Sequence, residues 1–420
     1  MPPEALGLGV DLGTSGLRLA LVRPTGEVLL ERCSDYPRPF DDPIGWQEGV
    51  ISLCRQLPDD CRAGVAAIAV DGTSGTLLLS QPDGRPLGPA LPYYQAVPDQ
   101  AEAAADLVGS KHADAPAASA SGSLARALAL IVRHGAGSSS ALLRHQADWL
   151  SGWLLADWRW GEETNNLRLG WDQTDGRWLG AIAHQPWSGA LPDLKPAGAA
   201  LGHLAPAVAA ELGLPDSCLV VAGCTDASAA VLAADPQPGD GVTVLGTTLV
   251  LKQFSPAPVQ GPGISCQNLA GRWLVGGASN AGAGVLRQFF DDALLVELSR
   301  QIDPRRSSGL ELRPLPRRGE RFPVDAPLLE PILEPRPVSD ALYLQALLEG
   351  LARIESQGWA ALEQRGAPAV TRVLSLGGGA RNPQWRAIRQ RILGVPVLNR
   401  PHCSAAQGMA RLALSALSPP

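Results

Sequence analysis

Lysine is almost missing from this chain. Of 35 basic residues only three are lysine, Lys111, Lys195 and Lys252, and none of them follows a glycine. A Gly-Lys-Ser/Thr loop cannot be built, which excludes a P-loop nucleotide site. Any phosphoryl chemistry must hold its nucleotide another way. Charge is sparse overall, at 18% of residues, with 35 basic against 41 acidic positions and a net charge of −6. That acidic balance argues against nucleic acid as a partner, since phosphate binders carry a basic face. Low charge combined with 45% hydrophobic content excludes a disordered chain. Paired cysteines are missing too. Cys33, Cys54, Cys61, Cys218, Cys224, Cys266 and Cys403 are odd in number and scattered, with no C-x-x-C, so neither a disulfide framework nor a structural zinc site is expected. The six histidines show no metal-ligand spacing. No run approaches the ~18 apolar residues that span a bilayer. The N-terminus has no basic n-region, and Asp11 and Arg18 interrupt its apolar character, which argues against a signal peptide. A cytoplasmic protein is expected, or an organellar one whose targeting peptide is absent.

What is present is a glycine- and proline-rich α/β pattern, with 46 Gly and 37 Pro in 420 residues. At roughly 150 residues per domain, this length favours two or three domains. Leu6–Val10, Leu17–Val22 and Glu27–Leu30 are short apolar runs separated by Gly-rich turns, a β-meander signal. A helix follows around Trp46 to Gln56. Val65–Val70 is a continuous apolar run of the kind a doubly covered parallel strand shows. Residues 99 to 155 are Ala- and Leu-rich with helical spacing. After Asp235-Pro-Gln-Pro-Gly-Asp240 the meander pattern starts again in Val242–Leu245, Gly246-Thr-Thr248 and Leu249–Lys252. Residues 304–337 read as an irregular loop and Ser339 to Gln364 as a long helix. Val373–Leu376 is a strand running into Gly377-Gly-Gly379, and a helix follows from Pro383. Two halves, 1–225 and 226–420, each opening on a Gly-Thr hairpin, suggest a duplicated fold with a cleft between them. Trp149, Trp153, Trp158, Trp160, Trp171 and Trp178 read as a packed flank of the first half, with an interaction surface as the alternative.

Four segments can carry chemistry. Asp11-Leu-Gly-Thr-Ser-Gly16 is a hairpin whose bare backbone N–H groups suit a phosphate oxyanion, with Thr14 and Ser15 adding hydroxyls. Asp11 at the strand end can hold Mg²⁺ through water. The plain alternative is a turn that Asp11 merely caps. Gly246-Thr-Thr248 is a second such hairpin, or a structural turn. In Leu376-Gly-Gly-Gly-Ala-Arg-Asn382 three glycines let backbone lie flat against a planar base, with Asn382 able to bond its edge; a helix-entry loop is the alternative. In Val220-Val-Ala-Gly-Cys-Thr-Asp226 an apolar strand ends at a carboxylate leading a small-residue helix. The helix dipole would keep Asp226 ionised and fit it as a base for an attacking hydroxyl; otherwise it is an N-cap.

In this order and spacing, Val10–Ser15, Ala222–Ala227, Leu245–Thr248 and Gly377–Asn382 resemble the FGGY carbohydrate kinases. Gly45-Trp-Gln-Glu48, Ala147-Asp-Trp-Leu150 and Ser404–Ala413 extend the resemblance over nearly the whole chain. It implies two similar actin/hexokinase/Hsp70-like ATPase (ribonuclease H-like) domains with a central cleft, and transfer of phosphate from Mg-ATP to a hydroxyl of a small sugar. By the same resemblance Asp226 is the general base and Asp11 orients Mg²⁺. Thr14 and Ser15 face the phosphates with Gly246 and Thr247 opposite. Gly378, Gly379 and Asn382 seat adenosine, with Trp385 flanking the base or sitting in a helix core. Asp11, Ser15, Thr73, Ser74 and Asp226 are the expected sugar contacts. Leu91-Pro-Tyr-Tyr-Gln95 departs from the Leu-Trp-x-Asp usual in xylulose kinases. The pattern is similar to a short branch of the family in cyanobacteria and plants, for which D-ribulose is the expected acceptor. D-xylulose or another ketose or polyol is the alternative, as is a sugar-sensing relative with weak ATP hydrolysis.

Overall fold

A computed structural model describes residues 4–135 and 140–417. The chain divides into two compact units. The first holds residues up to Ala233 together with 268–271 and the segment from Ser404 onward; the second holds Ala234–Gln267 and Arg272–Cys403.

In the first unit, strands β1 (Leu6–Leu12), β2 (Leu17–Val22) and β3 (Val28–Ser34) form the antiparallel meander that the turn residues foretell. Helix α1 (Pro43–Arg55) follows, started by Asp42, whose Oδ1 accepts from the Ile44 N–H at 3.0 Å. Strand β4 (Val65–Gly72) then runs parallel to β1. Every residue of β1 is buried, and so are all but one of β4, as an apolar run covered on both faces requires. Strands β5 (Ala200–His203) and β6 (Leu219–Thr225) complete a six-stranded sheet of order β5-β6-β4-β1-β2-β3, with β6 parallel to β4. The Ala/Leu-rich stretch contains helices α2 (Ser123–His134) and α3 (Gln146–Leu155), but Leu142–His145 between them is a strand pairing with Leu77–Ser80.

Helix α4 (Asp226–Ala233) leaves the end of β6. In the second unit, β7 (Asp240–Leu245), β8 (Leu249–Ser255), β9 (Ile264–Leu269) and β10 (Arg272–Ser279) again make an antiparallel series. Helix α5 (Asp292–Gln301) and helix α6 (Asp340–Gln364) follow, separated by a stretch without regular elements over 304–337. Strand β11 (Arg372–Leu376) lies parallel to β7, helix α7 (Pro383–Leu393) comes next, and β12 (Val397–Asn399) lies parallel to β11. The order β9-β10-β8-β7-β11-β12 repeats the plan of the first sheet: a meander on one side, parallel strands on the other.

Helix α4, residues 268–271 and the C-terminal helix depart from a simple division at 225/226. Helix α8 (Ala405–Ser415) belongs to the first unit. The cause is close packing by small residues. A Cβ on Gly7 or Gly9 of β1 would overlap the carbonyls of Ala410 or Ala406, and one on Gly408 would overlap Ala229 O of α4. Helix and sheet approach to backbone contact, and only glycine permits that. The tryptophan stretch is a packed flank, as one of its two readings held. Trp149 and Trp153 are buried, Trp158 packs over Gly84 and Gly152, and Trp171 meets Trp178 edge to face at 5.4 Å. Among the described residues, no helix is long and apolar enough to cross a membrane, and all seven cysteines are free thiols.

Candidate active site

Three parallel neighbours, β1, β4 and β6, end side by side in the first unit. Asp11 of β1 is in register with Asp71 of β4, which is in register with Cys224 of β6, and Asp226 follows two residues later. Topology therefore gathers three carboxylates at one sheet edge. Asp11 is 8% exposed and Asp71 not at all, while Asp226 is partly exposed. No donor reaches either oxygen of Asp71. Its carboxyl lies against that of Asp11, and burial, then the Asp11 and Asp226 charges, raises its pKa well above the ordinary carboxylate value. Burial also raises Asp11, opposed by its hydrogen bond with Asp71 and by Arg18, whose Nη1 stands 3.5 Å from Asp11 Oδ2. Asp71 thus keeps the proton and Asp11 carries the charge. Two carboxyls on adjacent strands cannot both ionise cheaply out of water. Asp71 was not singled out in the sequence; only the register of β1 with β4 brings it to Asp11.

Asp226 is ionised near neutrality, as its helix start implies, although burial opposes the charge. Burial dominates and lifts its pKa to about 6, against the Ala227 N–H, the Arg168 charge and the Ser74 N–H, which all favour the anion; Asp11 adds to the rise. The Ala227 N–H donates to Asp226 Oδ1 at 2.8 Å. A carboxylate at that value is a better proton acceptor than an ordinary aspartate and is still mostly ionised near neutrality.

Around these acids the Thr73–Thr76 turn is fixed from below. The Thr73 hydroxyl donates to Gln146 Oε1 at 2.8 Å and lies 2.6 Å from Thr76 Oγ1, and its N–H also donates to Gln146. Thr73 is buried, so its hydroxyl supports the turn and has no reach to a sugar, against expectation. Ser74 is the partly exposed residue of this turn. Thr14 and Ser15 are exposed at the first hairpin. Thr14 Oγ1 lies 3.0 Å from the Tyr93 hydroxyl, and the Tyr36 hydroxyl donates to Gly13 O at 2.8 Å. Two further residues escaped sequence reasoning. Arg126 is fully buried and donates to the carbonyls of Gly75, Pro92, Tyr93, Gln95 and Ser121, tying three loops together. Arg168 lies alongside Gly75.

The second unit contains a groove of about 740 Å³. Gly246, Thr247, Gly378, Gly379, Asn382 and Trp385 all line it, so the structure brings six expected nucleotide-side residues together. Their roles differ. Gly377 has φ +83, the left-handed region that favours glycine, and turns the chain out of β11. A Cβ on Gly378 would meet nothing, which leaves its backbone open to the groove. Asn382 is spent on local bonds. Its Oδ1 caps α7 by accepting from the Gln384 and Trp385 N–H groups, both at 3.0 Å, and its Nδ2 donates to Ser299 Oγ at 2.8 Å. Trp385 is 2% exposed, packed beneath Gly379 at the floor of the groove. The wall from Ala283 to Arg300 was not anticipated. Gly282 and Gly284 pack against Thr247, and the small-residue run 276–284 was the available signal.

The carboxylates of Asp11 and Asp71, with that of Asp226 just beyond β6, gather at the first unit's strand ends. Carboxylate oxygens fit a hard, water-retaining cation such as Mg²⁺. Among the described residues no cluster of three or more His, Cys, Asp or Glu encloses a metal directly; Asp11 is the residue that would hold the ion.

A doubled meander-plus-parallel sheet, with acids at the strand ends of one unit and a glycine-lined groove in the other, defines a known fold class. The chain superposes on a xyloylose kinase from Brucella ovis with a TM-score of 0.82 at 24% identity, covering 98% of this chain and 90% of that one. A xylulose kinase from Rhodospirillum rubrum gives a TM-score of 0.82 at 22% identity, with the same coverage. Plasmodium falciparum glycerol kinase with ADP gives 0.80 at 15% identity, covering 99% and 90%. The fold is the two-domain actin-like ATPase fold of such kinases. More specifically, residues 241–417 match the FGGY family of carbohydrate kinases, C-terminal domain.

Proposed function

We propose that the whole chain is an FGGY carbohydrate kinase that transfers the γ-phosphoryl group of ATP to a hydroxyl of a small sugar. One observation carries this reading. Asp226, with its pKa at about 6, stands at the end of a strand whose neighbours end in the Asp11–Asp71 pair.

Asp226 accepts the proton of the acceptor hydroxyl as the oxygen attacks phosphorus. The Ala227 and Ser74 N–H groups hold its carboxylate in place. The open N–H groups of the 11–16 hairpin, with the Thr14 and Ser15 hydroxyls, receive phosphate oxygens, and the Gly246–Thr247 hairpin does the same in the second unit. The groove beside Gly378 and Gly379 takes adenosine. Asp11 would hold Mg²⁺ through water, and the ion would neutralise charge on the phosphates. Asp71, kept neutral, orients Asp11 without adding a second negative charge against the nucleotide. Seven free thiols suit a reducing, cytoplasmic setting.

The acceptor proposed first is D-ribulose, giving D-ribulose 5-phosphate, with Ser74 beside the base as its hydroxyl partner. D-Xylulose is the second candidate, favoured by the fold likeness to xylulose kinases. A coupled ADP-release assay over pentuloses, hexuloses and glycerol tests both. D-Ribulose should release ADP well above a no-sugar control. No sugar-dependent ADP from any of the panel would overturn the kinase reading.

A further inference from the structure

Two guanidinium groups flank the turn that serves Asp226, and they are in different states. A Cβ on Gly75 would meet Arg126 Nη1 at 3.3 Å and Arg168 Cδ at 3.5 Å. Arg126 is saturated by five backbone carbonyls. Arg168 is nearly idle. Its side chain makes one long hydrogen bond, Nη1 to Ser121 O at 3.4 Å, and no ion pair among the described residues. Its backbone is pinned, with its carbonyl accepting the Leu124 N–H at 3.2 Å. Its stem is pinned against Gly75, which holds φ +106 and so presents no side chain of its own. The preceding residue, Ser74, sends its N–H to Asp226. Arg168 is therefore one residue from the turn's contact with the base, partly exposed, with most of its donors unused.

Unused guanidinium donors held next to a base have a function in recognition. The fork of an arginine matches two oxygens on adjacent carbons, which a lysine cannot match. Resting on the kinase reading above, we propose that Arg168 is an acceptor-specificity residue: its guanidinium grips two vicinal oxygens of the sugar next to the hydroxyl that Asp226 deprotonates. The same cation favours the Asp226 anion. The other ionisable groups that act there are Asp11 on β1, Asp71 on β4 and the Cys224 thiol on β6; the Asp11 charge opposes the anion, while Asp71 is held neutral and the Cys224 thiol is pushed well up, both by burial.

Arg168→Met and Arg168→Lys separate the two effects. In Arg168→Met the acceptor KM should rise roughly ten- to hundredfold, as expected for a lost charge-assisted pair, while the ATP KM stays within about twofold. The acid limb of the kcat/KM profile should move to higher pH, because a cation that favours the Asp226 anion is gone. Arg168→Lys should restore the limb but not the KM, since it returns charge without the fork. An unchanged acceptor KM in Arg168→Met would overturn the proposal, as would a parallel rise in both KM values with a fall in melting temperature. Titration calorimetry of D-ribulose and D-xylulose into the nucleotide-free protein gives an independent reading. Sugar binding that Arg168→Met weakens, without ADP release, would sink the kinase reading and keep this one. Binding equal in wild type and Arg168→Met, or absent for both sugars, would sink this one.

Discussion

The second unit carries a fully buried ion pair whose loss has a size that can be worked out. Arg389 of α7 and Glu355 of α6 are 0% and 1% exposed at their side chains. Arg389 Nε and Nη2 donate to Glu355 Oε2 and Oε1 at 2.6 and 2.7 Å, a bidentate pair. Arg389 Nη1 donates to Ser375 Oγ at 2.6 Å, and Thr243 Oγ1 donates to Glu355 Oε1 at 2.5 Å. Ser375 lies on β11 just before Gly377, and Thr243 on β7 just before Gly246. The pair therefore ties the two strands that deliver both glycine loops to the groove. Arg389→Met removes three donors and leaves Glu355 buried and charged, at a cost of about 3–5 kcal/mol. Against a stability of about 5–15 kcal/mol for a domain, that is a large share. Urea unfolding followed by tryptophan fluorescence reads the loss, since Trp273, Trp359 and Trp385 report on this unit. ADP affinity should fall with it. The double variant Arg389→Met/Glu355→Leu should recover most of the stability, because no charge remains buried. A loss below about 1 kcal/mol in the single variant, or a double variant as unstable as the sum of the singles, would refute the reasoning.

Three further predictions follow from particular residues. Asp226→Asn should abolish transfer while leaving ADP binding intact. Because burial raises the native pKa of Asp226 to about 6, its ionised form costs stability as pH rises through that value. Asp226→Asn should then melt above wild type at pH 8, with the gap closing towards pH 4; a constant gap, or none, would contradict the pKa. In wild type, kcat/KM should fall roughly tenfold per pH unit below about pH 6, and an acid limb near pH 4 would argue against Asp226 as the base. Asn382→Ala should remove the α7 cap, at about 1 kcal/mol, and the Ser299 link; ADP affinity should weaken severalfold in calorimetry with the sugar KM unchanged.

Much of the molecule is legible in its residues because the signals are local. Apolar runs ended by Gly-rich turns gave the meanders, and Ser339 capping Leu342 starts the long helix where its polar/apolar spacing begins. The Gly-Gly-Gly run, Gly246 and Thr247 were legible for the same reason. What was hidden depends on pairing between distant segments. Asp71 reads as one acid before a turn until the register of β4 on β1 sets it beside Asp11. Arg126 lies in unremarkable helical sequence and Arg168 in the turn after Asn166, and only the return of residues 73–76 to them gives them work. Thr73 looked like a free hydroxyl because Gln146, its partner, is 73 residues away. The pKa of Asp226 depends on burial, which a helix-start motif does not report.

The packing of α8 onto β1 sets an order of assembly. Strand β1 has its glycine face closed only by residues 405–415, made nearly four hundred residues later. Until then Gly7 and Gly9 present bare backbone and β1 lacks its covering layer. The second unit, by contrast, is contained between Ala234 and Cys403 and can close before α8 emerges. During synthesis the second unit should therefore become protease-resistant first, and the first unit should stay open to chaperones until the chain passes residue 415. A nascent chain stalled near residue 400 would carry a folded groove and an unfinished acid cluster.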